Sequence, residues 1–282
     1  MPSVVVTGVS TGIGWGCAKV LIAKGFRVFG SVRKQGDADR LSNEFGPNFV
    51  PLIFDVTDEA AVHAEAARVR GLLGGETLAG LVNNAGIAIA GPLMHLPIEE
   101  FRHQIEVNLT GVVIVTQAFG ALLGAEPGAK GPPGRIVNIS SVGGRNATPF
   151  MGPYNASKFG LEGLSESLRR ELLLFGVDVI IVAPGAVATP IWSKAEEVDV
   201  SGYANTAYAP GLDRIRAYML SLGKNGLPPE TLGEAVWTAL TVANPKVRYS
   251  ITPSPFEAFM TSVLPKRMVD KAIGGRLGLT RA

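Results

Sequence analysis

Short runs of β-branched and aromatic residues alternate along this chain with longer stretches whose apolar positions recur at helical spacing. Residues 3–7, 27–32, 49–54, 78–82, 135–139, 177–183 and 247–251 read as seven strands. Their near-continuous apolar character, Val4-Val5-Val6 in the first and Val179-Ile180-Ile181-Val182 in the sixth, is what a parallel sheet covered on both faces requires. Stretches at 12–24, 58–73, 98–123, 154–175 and 229–243 supply the covering helices. Repetition of the strand–helix–strand unit predicts an α/β fold built on a doubly wound, seven-stranded parallel sheet.

Two segments break this rhythm. Residues 124–134 are rich in Gly and Pro and are expected to form an exposed connection. Residues 190–228 are far longer than an ordinary helix–strand connection and carry Trp192, Tyr203, Tyr208, Tyr218 and Met219. Two readings stand for them, a satellite helix pair packed on the core or a lid over an apolar substrate. No repeat and no composition shift marks a second domain, so the 282 residues are expected to form a single domain, 1–282, with the lid insertion at 190–228.

Composition narrows the partners. Hydrophobic residues make up 46% of the chain and charged residues 18%, enough to bury a large core. A formal net charge of +2 and no long basic run argue against nucleic acid. The chain holds one cysteine, Cys17, which reads as a small buried side chain. Its first residues lack the basic and apolar regions of a signal peptide, which points to a cytoplasmic protein. Residues 107–125 carry no charge, but Asn108, Thr110, Thr116 and Gln117 interrupt them, so a buried or interface helix is expected rather than a transmembrane segment. His63, His95 and His103 are scattered without ligand partners, and no metal site is expected.

The candidate chemistry begins with Thr7-Gly8-Val9-Ser10-Thr11-Gly12-Ile13-Gly14, which follows the first strand and opens the first helix. Gly8 suits a tight turn, Gly12 lets backbone approach a pyrophosphate, Gly14 allows close helix packing, and the helix N-terminus offers N–H groups to phosphates. Together these features predict a dinucleotide site in a Rossmann fold. The second strand ends Ser31-Val32-Arg33-Lys34 with no acid, so Val32 stands where a carboxylate would grip a ribose 2′-hydroxyl of NAD(H) and Arg33 can meet the 2′-phosphate of NADP(H). Asp55 closes the third strand at the ligand edge of the sheet, beside Val56, and can meet the adenine amine.

Tyr154 and Lys158 stand four residues apart on one helical face, and a phenol with an ordinary pKa near 10 becomes a usable base when a cation stands beside it. The preceding strand ends Asn138-Ile139-Ser140-Ser141, which brings a hydroxyl to the same sheet edge.

In this order the motifs resemble those of the short-chain dehydrogenase/reductase family. The likeness spans residues 3–190 and rests on the glycine motif at 7–14, Asn83-Asn84-Ala85-Gly86, Asn108, Ser141 thirteen positions before Tyr154, the Tyr154-x-x-x-Lys158 pair and Pro184-Gly185-x-Val187-x-Thr189. It implies that Tyr154 is the acid/base, that Ser141 polarises the substrate oxygen, that Lys158 lowers the Tyr154 pKa and holds the nicotinamide ribose, and that Asn108 keeps a relay water. By the same resemblance the cofactor-binding set is Gly8, Ser10, Thr11, Gly12, Ile13, Gly14, Arg33, Asp55, Val56, Asn83, Ala85, Gly86, Tyr154, Lys158, Pro184, Gly185, Val187 and Thr189, while Asn84 is structural.

Phe26-Arg27-Val28-Phe29 and the stretch 256–279 are similar to the retinol and hydroxysteroid dehydrogenase branch. The implied activity is an NADP(H)-preferring interconversion of a small apolar alcohol and its ketone or aldehyde, with NAD(H) as the alternative cofactor, in a homodimer or homotetramer. A nucleotide-sensing regulatory protein is the rival of another class, disfavoured by the intact Ser141, Tyr154 and Lys158. A dehydratase or epimerase is the rival within enzymes, and such relatives carry a larger C-terminal substrate domain.

Overall fold

A computed structural model describes residues 1–126, 131–190 and 201–280. The expected strands form one parallel sheet from β1 (Ser3–Val6), β2 (Arg27–Val32), β3 (Phe49–Ile53), β4 (Gly80–Asn83), β5 (Arg135–Ile139), β6 (Asp178–Pro184) and β7 (Arg248–Ile251), in the order β3-β2-β1-β4-β5-β6-β7. The order reverses between β1 and β4, and this switch point is where open α/β sheets leave a crevice at the carboxyl ends of their strands.

Apolar runs make the inner strands because both faces are covered. Val4, Val6, Val28 and Val82 pack on one side with Cys17 and Leu21 of α1 (Gly12–Ala23). Val5, Phe29, Leu52 and Leu81 pack on the other with Val62 and Val69 of α3 (Glu59–Leu73). Cys17 is buried, as its apolar surroundings in the sequence suggest, and burial pushes its thiol up to about 12. Asp58 caps α3 by accepting from Ala61 N–H at 3.0 Å.

The helix α2 (Gln35–Phe45) was not expected, because its apolar positions are few and its surface is charged; it buries Ala38 and Leu41 against the sheet. The uncharged stretch is not one regular helix. It runs as α4 (Ile98–Ile105), a π-helical turn Glu106–Thr110, α5 (Gly111–Gly120) and a 3₁₀ turn Ala121–Leu123. Taken whole, 98–123 is long and apolar enough to cross a membrane by length and composition, yet Val107, Val115, Phe119, Leu122 and Leu123 belong to the core of this fold. The π turn is placed at Asn108, where side chains of α4 and the turn clamp the loop after β4.

Beyond these lie α6 (Gly152–Glu171), α7 (Ala209–Lys224) and α8 (Pro229–Thr241), followed after β7 by α9 (Pro255–Val263) and α10 (Lys266–Leu277). Within the long excursion, Ile191 and Trp192 fall outside the described residues. Its two ends meet: Ala188 N–H donates to the Leu227 carbonyl at 2.9 Å and Leu227 N–H to the Ala186 carbonyl at 3.0 Å. Between those ends α7 packs Leu212 and Ile215 against Phe150 and Leu277, so among the described residues of the excursion its long helix packs on the C-terminal segment.

Candidate active site

The glycine loop is tied to the end of β4. Thr7 Oγ1 accepts from the N–H groups of Asn84 and Ala85 at 2.9 and 3.0 Å, and Asn84 Nδ2 donates to the carbonyls of Thr7 and Gly8 at 2.8 and 3.2 Å. Asn84 is therefore a staple between strands. Gly8 holds φ of +69°, and a methyl group on Gly14 would lie 2.2 Å from the Gly8 carbonyl oxygen, so only glycine fits at that crossing. Ser31, buried at the end of β2, accepts from Gly8 N–H at 2.9 Å and belongs to the loop's scaffold.

The α1 N-terminus carries Thr11 as an N-cap without a side-chain cap bond, and no acid stands in its first turn. Its N–H groups and positive dipole end are left to an anion. Thr189 leans over the loop, its side chain 3.2 Å from a methyl group built on Gly12. Val56, Asn83, Ala85 and Val112 surround a packing gap too small for a water molecule, and Asn83 Oδ1 is a buried acceptor with no partner among the described residues. This set fits a dinucleotide: free helix-end donors for phosphates, a glycine cradle, and a buried acceptor left without a partner at the end of β4.

Arg33 and Asp55 meet at the mouth, Nη1 to Oδ2 at 3.5 Å. Burial raises the Asp55 carboxyl, but hydrogen bonds from Thr57 and the charge of Arg33 outweigh it and hold the pKa below the ordinary value. A carboxylate thus stands beside the expected 2′-phosphate ligand. Val32, by contrast, points into the core at 3% exposed, so Arg33 is the residue whose side chain faces the mouth. Arg40 of α2 donates Nη2 to the Ser10 carbonyl at 2.7 Å, a loop contact that no sequence motif signals.

At the other side of the switch point β5 delivers Ser141 and α6 delivers Tyr154 and Lys158. Ser141 Oγ accepts from Gly143 N–H at 2.9 Å. Lys158 is buried, donates Nζ to the Ile139 carbonyl at 2.8 Å and sits 5.8 Å from the centre of the Tyr154 ring. Burial pulls the ammonium down to about 8, opposed by the Glu162 carboxylate. The phenol moves the other way from the expectation that Lys158 lowers it: burial raises the Tyr154 pKa, and a hydrogen bond with Ser141 offsets only part. The ammonium is committed to the Ile139 carbonyl, so burial of the phenol prevails.

Asn108 sits at the π turn, donating Nδ2 to the Ile87 carbonyl at 3.0 Å and to Ser157 Oγ at 3.2 Å, and accepting from Ile87 N–H at 2.9 Å. Gln104, fully buried one turn earlier, holds the same loop through Ile89 N–H and the Ile87 carbonyl. Gly86 packs against Asn108. Pro184 and Gly185 end β6, and Val187 buries its side chain so that its backbone lies along the edge.

A profile of the short chain dehydrogenase family matches residues 2–199. The chain belongs to the short-chain dehydrogenase/reductase family. A protein of Ornithobacterium rhinotracheale named NADPH-dependent 3-dehydrocapnine reductase is 40% identical over 269 residues, covering 95% of this chain and 94% of that one. Mouse retinol dehydrogenase 16 is 38% identical over 193 residues, 68% of this chain and 59% of that one, which supports likeness to the retinol dehydrogenase branch. The crystal structure of a short-chain dehydrogenase from Streptomyces avermitilis superposes with a TM-score of 0.75 at 24% identity, over 99% of this chain and 97% of that one, and shares the fold. As a member of this family the protein is an oxidoreductase acting on a small molecule.

The structure brings the motif residues from the glycine loop, β4, β5, α6 and β6 to one sheet edge. Besides Arg40, further contributors have no family signal in the sequence: Glu162 on α6, Arg248 on β7, and Phe150, the one non-glycine residue with positive φ (+65°) among the described residues. A lone acid on a helix or a lone base on an edge strand carries no spacing to read.

Proposed function

We propose that this protein is a cytoplasmic NADPH-dependent reductase that converts the ketone or aldehyde of an apolar molecule to its alcohol, with Tyr154 as proton donor. The observation that carries the reading is the convergence of Ser141, Tyr154 and Lys158 at the carboxyl edge of the sheet, with Lys158 Nζ bound to the Ile139 carbonyl and 5.8 Å from the centre of the Tyr154 ring. A phenol with its ordinary pKa near 10 is protonated at neutral pH and can hand that proton to the substrate oxygen as hydride reaches the carbon. The NADPH dependence in the name of the Ornithobacterium relative points the same way.

NADPH, when bound, supplies a hydride to the carbonyl carbon. The glycine loop, from Gly8 and Ser10 through Gly14, offers its N–H groups to the phosphates, and Arg33 leaves Asp55 to pair with the 2′-phosphate. Asn83, Ala85, Gly86 and Val56 enclose the adenosine side; the backbone of Pro184, Gly185, Val187 and Thr189 encloses the nicotinamide side. Ser141 donates to the substrate oxygen and stabilises the charge that gathers there, and Tyr154 delivers its proton to the same oxygen. Lys158 favours the resulting phenolate, and Asn108 keeps the path by which water restores the proton.

The substrate is bulky and apolar. Leu93 approaches Gly152 beside the catalytic helix, Phe150 stacks edge-on with Tyr208 at 6.0 Å, and His95 does the same with Tyr208 at 5.7 Å. The described part of the excursion, 201–228, which returns to the sheet edge where Leu227 meets Val187 and Ala188, serves as the lid of a single domain. Exposed Phe159 on α6 and Leu173 and Leu174 beyond it give an assembly surface for a homodimer or homotetramer; light scattering at micromolar concentration that returns a monomer contradicts this.

Screening the purified protein for NADPH consumption with long-chain ketones, aldehydes and steroids, beside small charged oxo acids, tests the reading. Turnover is expected with the bulky apolar carbonyls. Preference for small charged acids contradicts it.

A further inference from the structure

Glu162 lies one helical turn beyond Lys158 on α6 and is bound from three directions. Arg248 of β7 donates Nε to both carboxylate oxygens at 3.1 and 2.9 Å, Ser140 donates Oγ at 2.8 Å, and Arg145 Nε stands 3.5 Å away. The Glu162 and Arg248 side chains are 12% and 11% exposed. Arg248 also donates Nη2 to the Ser141 carbonyl at 3.3 Å and Nη1 to Ser250. One cluster therefore joins the edge strand, the catalytic helix and the strand end that carries Ser141.

A buried ion pair of this kind contributes little net stability relative to apolar packing, because desolvation offsets its attraction. Its value lies in where it sits. We infer that Glu162, clamped by Arg248, is a positioning residue for the reduction: it fixes the Ser140–Ser141 strand end against α6 and sets a carboxylate one helical turn from Lys158. This rests on the roles proposed above for Ser141, Tyr154 and Lys158.

Lys158 is faced by Tyr154 and Glu162 from its own helix, by the Ile139 carbonyl from β5 and, through Ser157, by Asn108 from the π turn; Arg248 and Arg145 stand on the far side of Glu162. Burial already draws the ammonium down to about 8, with the Glu162 charge as the opposing influence. Removing that negative charge makes every nearby group lose its proton more easily, ammonium and phenol alike, so both shifts have one sign.

The test compares wild type, Glu162→Gln and Glu162→Asp as full-length protein, reading NADPH affinity by fluorescence and NADPH-driven ketone reduction from pH 6 to 10. In Glu162→Gln the alkaline loss of both should begin roughly one pH unit lower, with little change in affinity at pH 6, and Glu162→Asp should restore the wild-type profile. A Glu162→Gln protein with a lowered melting temperature and an unmoved alkaline limb would overturn the inference and leave a structural brace. If Glu162→Gln does not fold, Glu162→Gln with Arg248→Met removes both charges of the pair and should displace the limb in the same direction by a smaller amount, because the more distant Arg248 charge is lost as well; a limb coincident with wild type there overturns it equally. Retained turnover in Tyr154→Phe is a separate outcome, which removes the reading of the site beneath the inference.

Discussion

The half of the molecule around β1–β4 and the wall formed by residues 201–224 and 255–280 are held together in different ways. In the first, Val4, Val5, Val28, Phe29, Leu41 and Leu81 are fully buried and the glycine loop is fixed by paired hydrogen bonds to Thr7 and Asn84. In the second, the buried set is Leu212, Ile215 and Leu277 around Phe150, while Phe256 and Met268 are 75% and 57% exposed. A cofactor platform has to meet one fixed ligand, so its residues are constrained individually. A substrate wall needs bulk and apolar character in about the right place, which many sequences supply.

Stability should show the contrast most strongly. Leu81→Ala opens a hole between sheet and helices and is expected to cost about 3–5 kcal/mol of global stability, whereas Leu212→Ala should cost nearer 2 kcal/mol, both measured by denaturant unfolding. Equal losses would mean that the wall is as much a part of the folding core as the sheet.

Binding should separate the regions next. A methyl group on Gly14 cannot avoid the Gly8 carbonyl, and Gly14→Ala is expected to weaken NADPH binding on the order of a hundredfold by calorimetry. Leu212→Ala should leave NADPH affinity alone and raise KM for the carbonyl substrate. A common effect on both ligands would erase the division.

Cofactor choice is a smaller effect because its residue is exposed. Arg33→Gln should reduce the preference for NADPH over NADH in kcat/KM by about tenfold, since a charge-assisted contact at a site 68% open to water is screened. Val32 is the wrong place for the reciprocal change, because an acid there would be buried in the core. No change in the ratio would make Arg33 only the partner of Asp55.

Smallest is the expected difference in local opening. Amides of 209–224 should exchange with solvent sooner than those of β1, β2 and β4, by an amount that a bound apolar substrate reduces.

The same contrast decided what could be read from the chain. The inner strands were legible because parallel strands buried on both faces are apolar throughout, the edge strands β3 and β7 from shorter aromatic and β-branched runs, and the glycine loop, Ser141, Tyr154 and Lys158 because each needs one residue type at one spacing. Helix α2 was not, since it buries only Ala38 and Leu41. Helices α9 and α10 were not, since their exposed faces break the apolar period. Glu162 and Arg248 are 86 positions apart and meet only when β7 joins the sheet beside β6. The direction of the Tyr154 shift was also hidden, because burial depends on the whole fold while a Tyr–Lys spacing shows only the charge.

The most direct test of the account is Tyr154→Phe, measured for NADPH affinity and for turnover on the same carbonyl substrate. Loss of the phenolic proton should reduce kcat by roughly 10²- to 10⁴-fold while NADPH affinity stays within about twofold of wild type, since the ring and Lys158 remain in place. Turnover equal to wild type with intact binding would contradict the assignment of Tyr154 as the proton donor.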